Sequence, residues 1–111
     1  MDTGKLAVVV SEQYHNDIKN VFQYGYETFG FASAMLFHEN MERIVNNLDV
    51  EYYMYPECRF LRTKSKMYRN IILESYLIIY RITKSRVEVL RVFHSSICTS
   101  TRLRLVRKID I

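Results

Sequence analysis

The chain has 111 residues, 49% apolar and 14% aromatic, which is enough for one domain with a real core and too apolar for disorder. Its net charge of +4 hides a split: residues 1–56 carry three Lys/Arg against eight Asp/Glu, whereas residues 57–111 carry thirteen against four. No apolar run approaches the roughly 18–20 residues that span a bilayer, so no membrane partner is expected, and the basic half points to a polyanion or an acidic protein as partner.

Leu6-Ala-Val-Val-Val10 is β-rich and predicts a strand. Ser11 is placed to cap a helix, with Glu12 in its first turn. Tyr14, Ile18, Val21, Phe22, Gly25 and Phe29 recur at helical spacing, which predicts an amphipathic helix over 12–29 that stops at Gly30. Gly25 inside that helix suggests close packing against a neighbour. A second helix is predicted over 32–48 from the stripe Ala34, Phe37, Met41, Ile44, Val45 and Leu48, and the short link makes the two an antiparallel hairpin. Residues 49–66 lack periodicity, and Pro56 argues against a long helix there.

Three strands are predicted next, over Met67–Glu74, Tyr76–Thr83 and Arg86–Ser95, joined by turns short enough for hairpins. Tyr76-Leu-Ile-Ile-Tyr80 is apolar on both faces and belongs in the middle of the sheet. Thr99–Ile111 reads either way: Leu103, Val106 and Ile109 suit a helix, while Leu103/Leu105 and Ile109/Ile111 suit a strand. The expectation is one α+β domain over 1–111, ordered β-α-α-β-β-β, in which an antiparallel sheet is packed on one face by the helical hairpin. Residues 97–111 form a tail or an extra element. The acidic helices are expected on one face, and the basic loop and strands on the other as a shallow concave surface.

The basic cluster Arg59, Arg62, Lys64, Lys66 and Arg69, interleaved with Phe60 and Tyr68, is the leading candidate for contacting a nucleic acid or other target. Arg81 and Arg91 would add phosphate binders or an exposed basic rail on one face of neighbouring strands. His94, at the end of the last strand, could move a proton near neutral pH. His15 and His38 have no partners at ligand spacing, Cys58 and Cys98 match no metal motif, and no phosphate loop or nucleophile elbow is present. No metal or cofactor is therefore expected. The cysteines read as free thiols of a reducing compartment, and the absence of a secretory signal favours the cytoplasm.

The segment from Tyr68 to Ile82, followed by Val87-Glu-Val-Leu-Arg-Val-Phe-His94, resembles the C-terminal sheet of the RelE/ParE superfamily, the toxin subunits of bacterial type II toxin–antitoxin modules. The first strand, Phe29-Gly-Phe-Ala32, the second helix and Pro56 fall in the matching order, so the resemblance covers roughly residues 5–96. It implies the same α+β fold and an acidic antitoxin that neutralises the chain. RelE-like members cleave mRNA on the ribosome without a metal; in that case Lys64, Lys66 and Arg69 would neutralise phosphate and His94 would serve as acid or base. ParE-like members bind DNA gyrase and do no chemistry on it. The spacing of Arg69, Tyr76, Tyr80 and Arg81 is nearer the ParE branch, and Ile71 and Ile72 stand where ribonucleases place a catalytic Arg. A third alternative is a degenerate, non-toxic subunit that only binds its antitoxin.

Overall fold

The computed structural model describes residues 4–111. Strand β1 (Ala7–Val10) leads into helix α1 (Glu12–Phe29), helix α2 (Phe31–Asn46) and the single turn α3 (Leu48–Glu51). A loop then reaches strands β2 (Tyr68–Leu73), β3 (Tyr76–Ile82) and β4 (Arg86–His94), and a short helix α4 (Ser100–Leu105) follows. The architecture is the expected α+β layer, with one difference in the sheet. Its order is β1-β4-β3-β2, and β1 lies parallel to β4 while the other pairs are antiparallel. The sheet is therefore mixed. The two-helix crossover between β1 and the rest returns the chain to the same end of the sheet, as a parallel pairing requires.

Ser11 caps α1 as its position suggests: its Oγ accepts from Tyr14 N at 2.9 Å and donates to Leu90 O at 2.6 Å, and its own N–H donates to Val89 O at 2.9 Å. One residue thus ends β1, starts α1 and satisfies β4 where β4 bulges. The bulge lies opposite Ile79/Tyr80 and leaves Leu90 without a ladder partner. Gly30 links the helices at φ 92°, a conformation costly for any residue with a Cβ. At Gly25 a Cβ would stand 3.5 Å from the Ala34 methyl, so the hairpin is closely packed there.

The sheet is covered on both faces. Tyr14, Met41, Val45 and Leu48 from the helical side pack on Ile71, Ile78, Tyr80, Val87, Val89 and Val92. On the opposite face Cys58 and Leu61 from the loop, with Leu103, Val106 and Ile109 from the tail, pack on Tyr68, Ile79, Leu90 and Phe93. This corrects the expectation of an open concave face. The tail is helical rather than extended, and its i, i+3 apolar residues seal the sheet. The interior position of Tyr76–Tyr80 holds: β3 lies between β4 and β2, and Ile78, Ile79 and Tyr80 are fully buried. Cys58 and Cys98 are free thiols whose pKa values burial pushes up.

Candidate functional site

Two surfaces lie on opposite sides of the sheet. The first is an apolar groove of about 400 Å³ between the hairpin and the β2–β3 turn. Val21, Phe22, Phe37 and Met41 form its helical wall, and Tyr76 and His94 its floor. Edge-on ring contacts hold the wall in place, Phe22 to Phe31 at 6.4 Å and to His38 at 6.0 Å, and Phe37 leans on Tyr76 at 5.5 Å. Tyr24, Tyr26, Phe29, Phe31 and Leu36 stand exposed on α1 and α2, an unusual amount of bare apolar surface for two helices. The amphipathic stripe does not account for Tyr24, Tyr26, Phe31 and Leu36. Of these only Tyr24 lines the groove, so the surplus marks the exposed helical surface around it and not the groove itself.

His94 belongs to this first surface. Its ring meets Tyr76 edge-on at 5.2 Å, and its Nδ1 accepts from Ser96 N at 3.1 Å and lies 2.7 Å from Ser96 Oγ. The imidazole thereby caps the turn Ser95–Ile97.

The second surface is the outside of the loop and tail. Arg59, Arg62, Lys64 and Lys66 are exposed, with the Arg59 guanidinium 5.4 Å from the Phe60 ring. Arg69 is tied down rather than free: Nε donates to Lys66 O at 2.9 Å, Nη1 donates to Tyr55 O at 2.9 Å, and the guanidinium lies 5.4 Å from the Tyr53 ring. It pins the 53–66 loop to β2.

Arg81 and Arg91 do not form an exposed rail. Arg81 is buried against Glu88, at 2.7 Å from Nε and 2.6 Å from Nη2, and also donates to Tyr68 Oη and Ile109 O. Arg91 makes a two-pronged pair with Asp17 of α1, at 2.7 and 3.0 Å, and the same carboxylate accepts from Val92 N at 2.9 Å. Both guanidiniums are spent on internal partners that their own strands do not reveal.

The proposed acid–base and phosphate groups are not brought together. His94 pairs with Tyr76 at one end of β3, whereas Tyr68, just after Lys64 and Lys66, pairs with Arg81 at the other. Five residue steps separate those ends, about 17 Å at 3.3–3.4 Å each. Lys64 and Lys66 belong to the loop covering the face opposite the helices, and His94 to the groove on the helical side. One phosphate cannot touch both sets. Among the described residues no group of three His, Cys, Asp or Glu is placed to share a metal.

A family model described as the ParE toxin of type II toxin–antitoxin systems, parDE, matches residues 8–97. The chain belongs to the ParE toxin family. Its fold is shared with a solved structure titled as the chromosomal ParDE TA system from P. aeruginosa, at a TM-score of 0.68 and 13% identity, covering 83% of this chain and 98% of that one. No curated protein sequence matches. The ParE match takes in both helices, the sheet and His94, and ends at Ile97. Cys98–Ile111, which carries α4 and seals the second face of the sheet, lies beyond it. No helix among the described residues is long and apolar enough to cross a membrane.

Proposed function

We propose that this ParE-family chain is the toxin subunit of a type II toxin–antitoxin pair that arrests DNA gyrase by docking on it, with no catalytic step of its own. The observation that carries this reading is the separation of His94 from Lys64 and Lys66 across the sheet. A ribonuclease of the RelE type needs a proton carrier and phosphate-neutralising cations around one scissile linkage. Arg69 and Arg81, the cations of β2 and β3, are held by backbone carbonyls and by Glu88. They are braces, and the groups left over suit contact with a macromolecule.

The neutralising partner in this reading is an acidic antitoxin. Its apolar side chains fill the groove beneath α1 and α2, and its carboxylates meet the cationic loop. The test is a supercoiling assay with purified gyrase beside a translation extract carrying a labelled message. The expected result is dose-dependent loss of supercoiling with the message intact, reversed by the product of an adjoining acidic reading frame. Message cleavage that disappears in a Lys64→Ala/Lys66→Ala/His94→Ala variant would overturn the proposal in favour of the ribonuclease. Unimpaired growth on expression, with unaffected gyrase, would overturn it in favour of a non-toxic antitoxin-binding subunit.

A further inference from the structure

We infer that the loop over 57–66 and the tail over 99–108 together form one cationic surface that binds the phosphate backbone of duplex DNA. The two segments are packed side by side. Cys58 and Leu61 share a buried cluster with Leu103, Val106 and Ile109, and Arg107 Nη2 donates to Arg62 O at 3.1 Å. Each segment buries residues three apart and turns the ones between outward. From the loop this exposes Arg59, Arg62, Lys64 and Lys66, and from the tail Arg102, Arg104, Arg107 and Lys108.

None of these eight has an ion-pair partner among the described residues, whereas the strand cations Arg81, Arg86 and Arg91 are all paired. The acids nearby do not offset the surface. Glu88 is buried between Arg81 and Arg86, so the acids left against the eight cations are Glu57, which accepts the Thr63 N–H, and the exposed Asp110. Eight outward cations at the rim of one face are the electrostatic footprint of a regularly spaced polyanion.

The absence of a stacking platform decides in favour of a duplex. Single strands are held by bases laid on exposed aromatic rings. Here Phe60 is the one partly exposed ring of the surface, at 40%, and Tyr68 is buried between the Arg81 and Arg107 guanidiniums. One ring, itself covered by the Arg59 guanidinium, is no platform for successive bases, so the cations contact phosphates and the binding is insensitive to sequence. The tail supplies half of the cations and lies outside the family match, so the surface is a feature of this chain. The inference rests on charge placement and not on the identity of the arrested enzyme.

The experiment is fluorescence anisotropy of a labelled 30-base-pair duplex titrated with the full chain across a salt series. If six phosphates are engaged, the slope of log K against log salt is about −5, at roughly −0.9 per contact. The variant Arg102→Gln/Arg104→Gln/Lys108→Gln keeps Arg107 and its bond to the loop. It is expected to flatten the slope by roughly 2.7 and weaken binding at low salt about tenfold or more. An equal number of changes elsewhere, Lys5→Gln/Lys19→Gln/Lys84→Gln, is expected to leave the slope unchanged within error. Circular dichroism and melting temperature establish that both variants fold.

An unchanged slope in the folded tail variant would overturn the inference, as would tighter binding to a single-stranded RNA of equal length. Equal affinity for poly-glutamate at matched salt would also overturn it, because any polyanion would then suffice and the duplex would not be preferred. Duplex binding without any effect on gyrase would overturn the proposed target and leave this inference standing.

Discussion

The most demanding prediction concerns Glu88. Its side chain is 8% exposed and stands between Arg81, 12% exposed, and Arg86, 36% exposed. Removing the carboxylate does different things to the two guanidiniums. Arg86 is partly in water and can turn toward it, so its loss of a partner costs about 1 kcal/mol or less. Arg81 cannot, because β3 and the tail enclose it and its Nη2 is also the donor to Ile109 O. A buried charge stripped of its partner costs about 3–5 kcal/mol, a large share of the roughly 5–15 kcal/mol that holds a small domain together. Glu88→Ala should therefore lose about 3–5 kcal/mol, or roughly 12–20 °C at about 4 °C per kcal/mol. Arg86→Ala should lose about 1 kcal/mol or less.

The double variant Arg81→Met/Glu88→Leu should recover most of the single Glu88 loss, because the desolvated pair is replaced by apolar packing. The chain has no Trp, so urea unfolding followed by far-ultraviolet circular dichroism is the assay. Equal losses for Glu88→Ala and Arg86→Ala would refute the reasoning, as would a double variant no more stable than Glu88→Ala.

Burial before all else, and then the carboxylates of Glu42 and Asp17, raises the pKa of Tyr14 well above the ordinary tyrosine value; burial likewise raises that of Tyr80. Below about pH 10 both tyrosines are neutral in either state and their contribution is complete; above it the unfolded chain releases protons that the folded one keeps, so stability falls by about 2.7 kcal/mol per pH unit for the two together. Urea midpoints measured from pH 9 upward should show that fall, shallower by about half in Tyr14→Phe, and a flat profile would contradict the burial of these hydroxyls. Glu74 stands in the two-residue β2–β3 turn at φ 53°, where a Cβ is strained; Glu74→Gly should raise stability by up to about 1 kcal/mol, and a loss in urea unfolding would show that its side chain is needed at the groove mouth.

Local signals carried the elements well, because each depends on neighbours in sequence. Ser11 followed by the Tyr14–Ile18–Val21 stripe contains the whole instruction for the start of α1, and the doubly apolar Tyr76–Tyr80 run identifies an interior strand. The parallel seat of β1 was not legible, since nothing in Ala7–Val10 says which edge it joins or in which sense. Arg81 and Arg91 read as free cations because their partners lie beyond any local window. Glu88 reaches Arg81 only through the β3–β4 register, and Asp17 meets Arg91 across 74 residues of chain. The tail was ambiguous for a physical reason. Leu103, Leu105, Val106 and Ile109 satisfy two periodicities over a few residues, and the choice fell to the exposed sheet face, which needed a cover with apolar residues three apart. The distance between His94 and Lys64 was hidden until pairing put His94 beside one end of β3 and the end of the Lys64 loop beside the other.

The sheet therefore works as a divider with an apolar groove on one side and a cationic face on the other. Charge alone would repel an acidic partner from the groove, where Glu74 lies in the wall. A partner that uses both surfaces must therefore change character along its length, apolar where it lies under α1 and α2 and acidic where it reaches the loop and tail. The open edge of the sheet is β2, and its Asn70 N–H and Tyr68 carbonyl are already taken by Pro56 and Cys58. Ile72, farther along the same strand toward the groove, is 75% exposed and pairs with Leu77 of β3. A chain passing from groove to cationic face by that edge would cover Ile72, and it would meet apolar surface, then an apolar crossing point, then the cations of the loop and tail. A duplex, which has no apolar segment to offer, has access to the cationic side alone. Under the proposed reading the two surfaces select for different partners, and an antitoxin that spans them would displace a duplex from the second by first anchoring in the first.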